Sequence, residues 1–290
     1  MAVIDQIVEL PVRALPEARQ IAVPAGKLFV RDLPGPPGAP TLILLHGWTA
    51  TADLNFFRCF APLTEHFRVV AYDQRGHGRG IRSARRFRLS DCADDVVAVA
   101  DALGIERFVP VGYSLGGAVA QLTARRHPER LDGVVFCATA AHFSLELAER
   151  MNFLGLTGLA AVARLVPAQA RRWMTDRFYL QRKRETWGGW AFDEASKHDW
   201  RMMLEAGQAL GNFRADEWLG SVQVPASVIV MTADTVVPVA RQRRLAELLG
   251  DAEIFTVAAG HDAAVTHPRR YVAALVDAVA SVLARSQSTS

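Results

Sequence analysis

A chain of 290 residues, half of them hydrophobic and 22% charged, is long enough to bury a substantial core and too apolar to be disordered over most of its length. The formal charge is +3, nearly all basic residues are arginine (the lysines are Lys27, Lys183 and Lys197), and no basic stripe interleaved with aromatics points to a nucleic-acid partner. Cys59, Cys92 and Cys137 are widely spaced and lack a CxxC pair, which argues against a disulfide frame and for thiols in a reducing compartment.

The opening Met1-Ala-Val-Ile-Asp5 lacks the basic region and apolar core of a secretory signal. Arg19 to Val23 and Leu28 to Arg31, split by Pro24-Ala-Gly-Lys27, read as a hairpin. After the breaker Pro34-Gly-Pro-Pro-Gly-Ala-Pro40, Thr41 to Leu45 is a continuous apolar run, as expected of a strand covered on both faces. Phe67 to Tyr72, Phe108 to Val111, Gly133 to Cys137 and Ala226 to Met231 share that character, and Glu253 to Val257 is a further apolar run. Helical patterns lie between them. One covers Asp91 to Leu103, with Ser90 as its N-cap and Gly104 as its stop; another covers Gly117 to Arg125. A third, Tyr271 to Leu283, carries Val272, Leu275, Val276, Val279 and Leu283 on one stripe. Strands alternating with helices predict an α/β fold with a mostly parallel central sheet flanked by helices.

The rhythm breaks from Ala141 to Leu219, where no central strand is evident and five of the six tryptophans gather: Trp173, Trp187, Trp190, Trp200 and Trp218. This stretch is read as an inserted helical lid at 141–219, between core segments 1–140 and 220–285, with 286–290 a flexible tail. Its basic run from Arg164 to Arg184 reads as a solvated helix face. Its tryptophans read as packing residues, and with Phe153, Leu154, Leu156 and Leu159 they suggest a pocket for an apolar group. The apolar stretch Phe153 to Ala163 is shorter than the roughly 18 residues of a membrane span, so no stable membrane insertion is expected and the cytoplasm is the default location.

The chemistry concentrates at three loops. Gly112-Tyr113-Ser114-Leu115-Gly116 joins a strand to a helix by a sharp turn, the setting of a nucleophile elbow, in which Gly112 and Gly116 supply the small neighbours that such a turn requires. A serine hydroxyl is a poor nucleophile at neutral pH and needs a base, which in turn needs an orienting acid. Asp234 lies in the loop beyond the Ala226 to Met231 strand, and His261 lies beyond Glu253 to Val257. Parallel strands place both loops at the same sheet edge as Ser114. Asp262 is a rival acid. His46 reads as the organiser of the loop carrying Trp48, His77 as structural or merely exposed, and His142 and His198, in or beside the lid, as surface residues. No HExxH, Cys/His cluster or carboxylate pair is present, so neither a metal nor a cofactor is implied.

With His46-Gly47-Trp48 after the third strand and Asp73-Gln-Arg-Gly-His-Gly78 after the fourth, these motifs resemble those of the α/β-hydrolases over roughly Arg19 to Leu283. The resemblance implies that the amides of Trp48 and Leu115 form an oxyanion hole. One departure stands out: Arg79-Gly80-Ile81-Arg82 separate the second glycine of the Asp73 loop from Ser83. A serine nucleophile also turns the reading away from the epoxide hydrolases and haloalkane dehalogenases of this fold, which attack with aspartate. The expected function is a serine hydrolase cleaving a small-molecule carboxylic ester with an apolar group. The alternatives are an acyltransferase, a carbon–carbon bond hydrolase or a cofactor-free perhydrolase with the same triad, or a small-molecule receptor with vestigial hydrolysis.

Overall fold

The computed structural model describes residues 15–144, 155, 159 and 189–288. The apolar runs become β1 (Arg19–Val23), β2 (Gly26–Leu33), β3 (Thr41–Leu45), β4 (Arg68–Tyr72), β5 (Val109–Tyr113), β6 (Val134–Cys137), β7 (Ala226–Met231) and β8 (Glu253–Val257). They pair into one sheet in the order β1-β2-β4-β3-β5-β6-β7-β8. The β1–β2 and β2–β4 pairings are antiparallel and the rest are parallel. The expected mostly parallel sheet flanked by helices is therefore present.

The described helices are α1 (Ala52–Phe56), α2 (Phe60–Thr64), α3 (Leu89–Ala102), α4 (Leu115–Arg126), α5 (Gly189–Ser196), α6 (Trp200–Gly211), α7 (Val239–Leu249), α8 (Ala263–Thr266) and α9 (Pro268–Gln287). Successive strand side chains alternate between faces, and the core divides accordingly. Ile43 and Leu45 pack with Val96 and Val99 of α3, Val119 of α4 and Leu245 of α7. Leu42 and Leu44 pack on the other face with Phe56, Phe60 and Leu275, from α1, α2 and α9. A strand buried on both faces favours apolar side chains at successive positions, which is why β3 runs Leu-Ile-Leu-Leu after the half-buried Thr41.

Several boundaries differ from expectation by one to four residues, and two of them have a clear physical cause. Ser90 does not cap α3: the helix starts at Leu89, and Arg88 occupies the cap position without a side-chain hydrogen bond. Burial of Leu89 in the core draws the helix start back, and the Phe87 amide is satisfied from afar by Glu205 Oε2 at 2.8 Å. The last helix begins at Pro268, whose missing N–H suits a first turn, and runs to Gln287, into the stretch read as tail. Trp173, Trp187, Phe153, Leu154, Leu156 and the run from Arg164 to Arg184 lie outside the described residues. Leu159 is 58% exposed. No described helix is long and apolar enough to cross a membrane.

The stretch from 141 leaves and rejoins the core at one point. His142 and Arg214 form an antiparallel bridge, and the Ala215 amide donates to the Ala141 carbonyl at 2.9 Å. In between, α6 lays Met202, Ala206 and Leu210 on the α3 side of the core.

Helix α4 approaches the sheet at contact distance. A Cβ on Gly116 would lie 2.0 Å from the Leu45 carbonyl oxygen, and one on Gly112 would lie 2.5 Å from that of Gly116. Both contacts are with backbone and cannot be relieved by a rotamer change. Gly116→Ala is expected to cost about 3 kcal/mol or more, against about 1 kcal/mol for Ala at Gly104, where nothing is within reach and only the positive φ matters. Urea midpoints measure the difference, and equal midpoints would contradict this packing.

Candidate active site

Ser114 sits between β5 and α4 with φ 54° and ψ −115°, a region that β-carbon residues avoid. The conformation is fixed from both sides. Its amide donates to the Cys137 carbonyl at 2.9 Å, and its carbonyl accepts from the Gly117 amide and from Thr139 Oγ1, both at 2.8 Å. Gly117 is a third obligatory glycine, because a Cβ there would meet Thr139 Oγ1 at 2.4 Å.

Three residues picked from separate loops meet here. His261 Nε2 lies 3.0 Å from Ser114 Oγ, and His261 Nδ1 lies 2.8 Å from Asp234 Oδ2. Asp234 is held in turn: its Oδ1 accepts from the amides of Val236 and Val237 at 2.8 and 2.9 Å, and its Oδ2 accepts from Gln242 Nε2 at 2.9 Å. A carboxylate so engaged fixes Nδ1 as the protonated nitrogen of a neutral His261, leaving Nε2 as acceptor toward the serine. Tyr113 Oη donates to the His261 carbonyl at 2.7 Å. Asp262, the rival acid, instead accepts from Thr266 Oγ1 beside α8.

Gln242 escaped the sequence reading, although it carried a signal: a polar residue on the apolar stripe of Leu245, Ala246 and Leu249. It is fully buried, with Oε1 on the Met231 amide at 3.0 Å.

The loop after β3 approaches the elbow closely, since a Cβ on Gly47 would lie 3.4 Å from Ser114 Cβ. His46 does organise it. Its Nδ1 donates to the Gly47 carbonyl at 2.8 Å and its Nε2 accepts from the Gln74 amide at 2.9 Å, while Asn55 Oδ1 holds the Gly47 amide at 2.8 Å. In a trans peptide the N–H opposes the C=O, so fixing the Gly47 carbonyl also fixes the direction of the Trp48 amide. Neither the Trp48 nor the Leu115 amide finds an acceptor among the described residues.

The Asp73 loop turns on ionic contacts. Asp73 accepts from the amides of Ala52 and Arg79, each at 2.9 Å, and from Arg79 Nε at 3.0 Å. Arg79, the first residue of the departure from the family pattern, also reaches Asp53 at 2.9 Å and Glu194 of α5 at 3.1 Å, and stacks on Phe29. Burial would raise the Asp53 carboxyl, but Arg31 and Arg79 outweigh it and hold it below the usual range.

His142 and His198 are not surface residues, contrary to expectation; they are 8% and 7% exposed. Distant segments fold over them: Asp216 takes His142 Nδ1 at 2.8 Å, and His198 lies between the two loops just described. His46, His77 and His198 form an edge-to-face series with ring centres 4.9 and 5.7 Å apart.

The profile of the family described as alpha/beta hydrolase fold matches residues 40–268. A protein of Caulobacter sp. (strain K31) named "Putative carbamate hydrolase RutD" is 31% identical over 223 residues, 74% of this chain and 81% of that protein. The bifunctional esterase/perhydrolase DCH of Acinetobacter calcoaceticus is 39% identical over 101 residues, 35% of this chain and 36% of that one. Among solved structures, the enol-lactonase from Burkholderia xenovorans LB400 matches with a TM-score of 0.72 at 25% identity, covering 90% of this chain and 100% of the other.

Burial pushes the imidazoles of His46, His77 and His198 below their ordinary value, His198 to about 4. Unfolding exposes them to water, where each takes a proton near pH 6.5. The unfolded state therefore binds more protons, and the stability these residues contribute is complete above about pH 6.5 and is lost toward pH 4. Asp95 acts oppositely, since burial pushes its carboxyl up to about 6 despite Arg75. The three imidazoles outnumber Asp95, so the unfolding free energy should fall as pH is lowered from about 6.5 toward 4. Urea titrations across that range would show the slope, and a flat profile would contradict it.

Proposed function

Because this chain belongs to the α/β-hydrolase family, we propose that it is a serine hydrolase cleaving a carboxylic ester with an apolar group through an acyl-enzyme on Ser114. The observation that carries this reading is the continuous hydrogen-bonded line from Ser114 Oγ through His261 to Asp234, at 3.0 and 2.8 Å.

In the proposed cycle, Ser114 Oγ attacks the ester carbonyl carbon while His261 Nε2 takes its proton. The resulting oxyanion is received by the amides of Trp48 and Leu115, the latter at the N-terminus of α4, whose dipole favours negative charge. Collapse breaks the bond to the leaving alcohol, which takes the proton from His261. Water then enters and gives a proton to His261 as it attacks the acyl carbon, and the acid departs as Ser114 regains its proton. Asp234 keeps Nδ1 protonated throughout and stabilises the transient imidazolium.

Segment 141–219 is the proposed lid over core segments 1–140 and 220–285, and an apolar acyl or alcohol group is the proposed ligand of its underside. The cytoplasm is the proposed location, supported by three cysteines that are all buried and unpaired. The relative named as a carbamate hydrolase favours a carbamate as the second reading. A carbamate offers the same electrophilic carbonyl to Ser114, with slower release of the resulting carbamoyl group.

Pre-steady-state hydrolysis of a chain-length series of p-nitrophenyl esters, run beside the matching carbamates, tests both readings. Ser114→Ala and His261→Ala are each expected to lower kcat by about 10⁴-fold or more, and the double variant hardly further. Gln242→Leu, which removes a donor from Asp234, is expected to lower kcat by about tenfold with KM little changed. Full turnover in Ser114→Ala would sink the proposal, and a serine-dependent burst that stalls on the esters would indicate an acyltransferase lacking its acceptor or a small-molecule receptor.

A further inference from the structure

The residue between α5 and α6 that touches both loops bordering the site is His198. Its Nδ1 accepts from the Gly78 amide at 2.9 Å, and its Nε2 donates to the Thr49 carbonyl at 3.1 Å. Both bonds at once require a neutral ring protonated on Nε2, and burial keeps the ring neutral. Thr49 itself has φ 60°, left-handed backbone that a β-branched residue holds only when its surroundings impose it. One residue before it is Trp48, whose Nε1 donates to the Met203 carbonyl of α6 at 2.9 Å. The chain following β3 is thus gripped on either side of the Trp48 amide: at Gly47 from within the core, and at the Trp48 ring and Thr49 carbonyl by α6 and the residue preceding its cap. That cap, Asp199, is anchored in turn through its amide to the Gly76 carbonyl at 2.8 Å.

We infer that His198 is a positioning residue for the oxyanion hole, its bond to the Thr49 carbonyl holding the Trp48 amide in line with the oxyanion formed on Ser114. The inference rests on the proposed serine mechanism. It deepens that mechanism by making the base of the inserted segment part of the apparatus that receives the negative charge, rather than only a cover for substrate.

The two ring nitrogens can be separated. His198→Gln places an amide N–H where Nε2 lies and keeps the donor to Thr49. His198→Asn places an oxygen where Nδ1 lies, keeping the acceptor for Gly78 and losing the bond to Thr49. With sites counted by the acylation burst, kcat per site is expected to fall by about 10- to 100-fold in His198→Asn, with KM within about twofold. Affinity for an alkyl boronic acid, which forms a tetrahedral adduct on the serine, should weaken by the same factor. His198→Gln should recover most of both. Trp48→Phe, lacking the Nε1 donor, should show the same split and serves if the His198 variants do not fold. Unchanged kcat and boronate affinity in His198→Asn, or equal losses in the Gln and Asn variants, would overturn the inference. Turnover that survives Ser114→Ala would instead remove the serine reading itself, so the two failures are distinguishable.

Discussion

The left-handed backbone at Ser114 is the constraint on which the surrounding structure depends. Holding a non-glycine residue there costs about 1–3 kcal/mol, and it persists because neighbouring groups overdetermine it. Both peptides flanking the serine are hydrogen-bonded, to Cys137, Gly117 and Thr139. Those bonds require β6 beside β5, and they require α4 close enough that Gly112, Gly116 and Gly117 have no space for a Cβ. A turn this tight also leaves the first amide of α4 without a partner among the described residues, so one geometry exposes the hydroxyl and an adjacent N–H donor together.

Around this centre, ionic groups set loop registration more than net stability. Arg31, Asp53, Arg79, Asp73 and Glu194 are linked by charge-assisted bonds, and the carboxylates among them are almost fully enclosed. The cost of desolvating such groups roughly offsets their attraction, so the cluster is weak evidence for stability. Removing one member would strand the others. What the network does accomplish is directional: Asp73 fixes the start of α1, Arg79 ties that point to α5, and the loops after β3 and β4 are held relative to each other.

Much of the fold was legible because its signals are local. Buried parallel strands demand continuous apolar runs, and Thr41 to Leu45, Ala226 to Met231 and Glu253 to Val257 coincide with the observed strands. Ser114, Asp234 and His261 could be selected because each sits just past a strand, and parallel strands bring such loops to one edge. What eluded the sequence was the choice of long-range partner. Ser90 has the chemistry of a cap, yet Leu89, one residue earlier, is drawn into the core and moves the helix start past it. His198 and His142 look like surface residues in a polar neighbourhood, and their burial arises only when segments more than fifty positions away close over them. Gln242 was readable in principle, as the odd residue on an apolar stripe. Its partner Asp234 was not, because a helix pattern does not specify which loop it will meet.

The joined ends of the stretch from 141 to 215 carry a topological consequence. A segment whose described ends meet at the bridge between His142 and Arg214 is topologically a cassette. All eight strands lie outside it, so a change in its length would leave the order of the sheet undisturbed. Such a change is not entirely free. Any replacement must supply a hydrogen-bond donor for the Thr49 carbonyl and an acceptor for the Trp48 ring, the two contacts by which this segment grips the chain after β3.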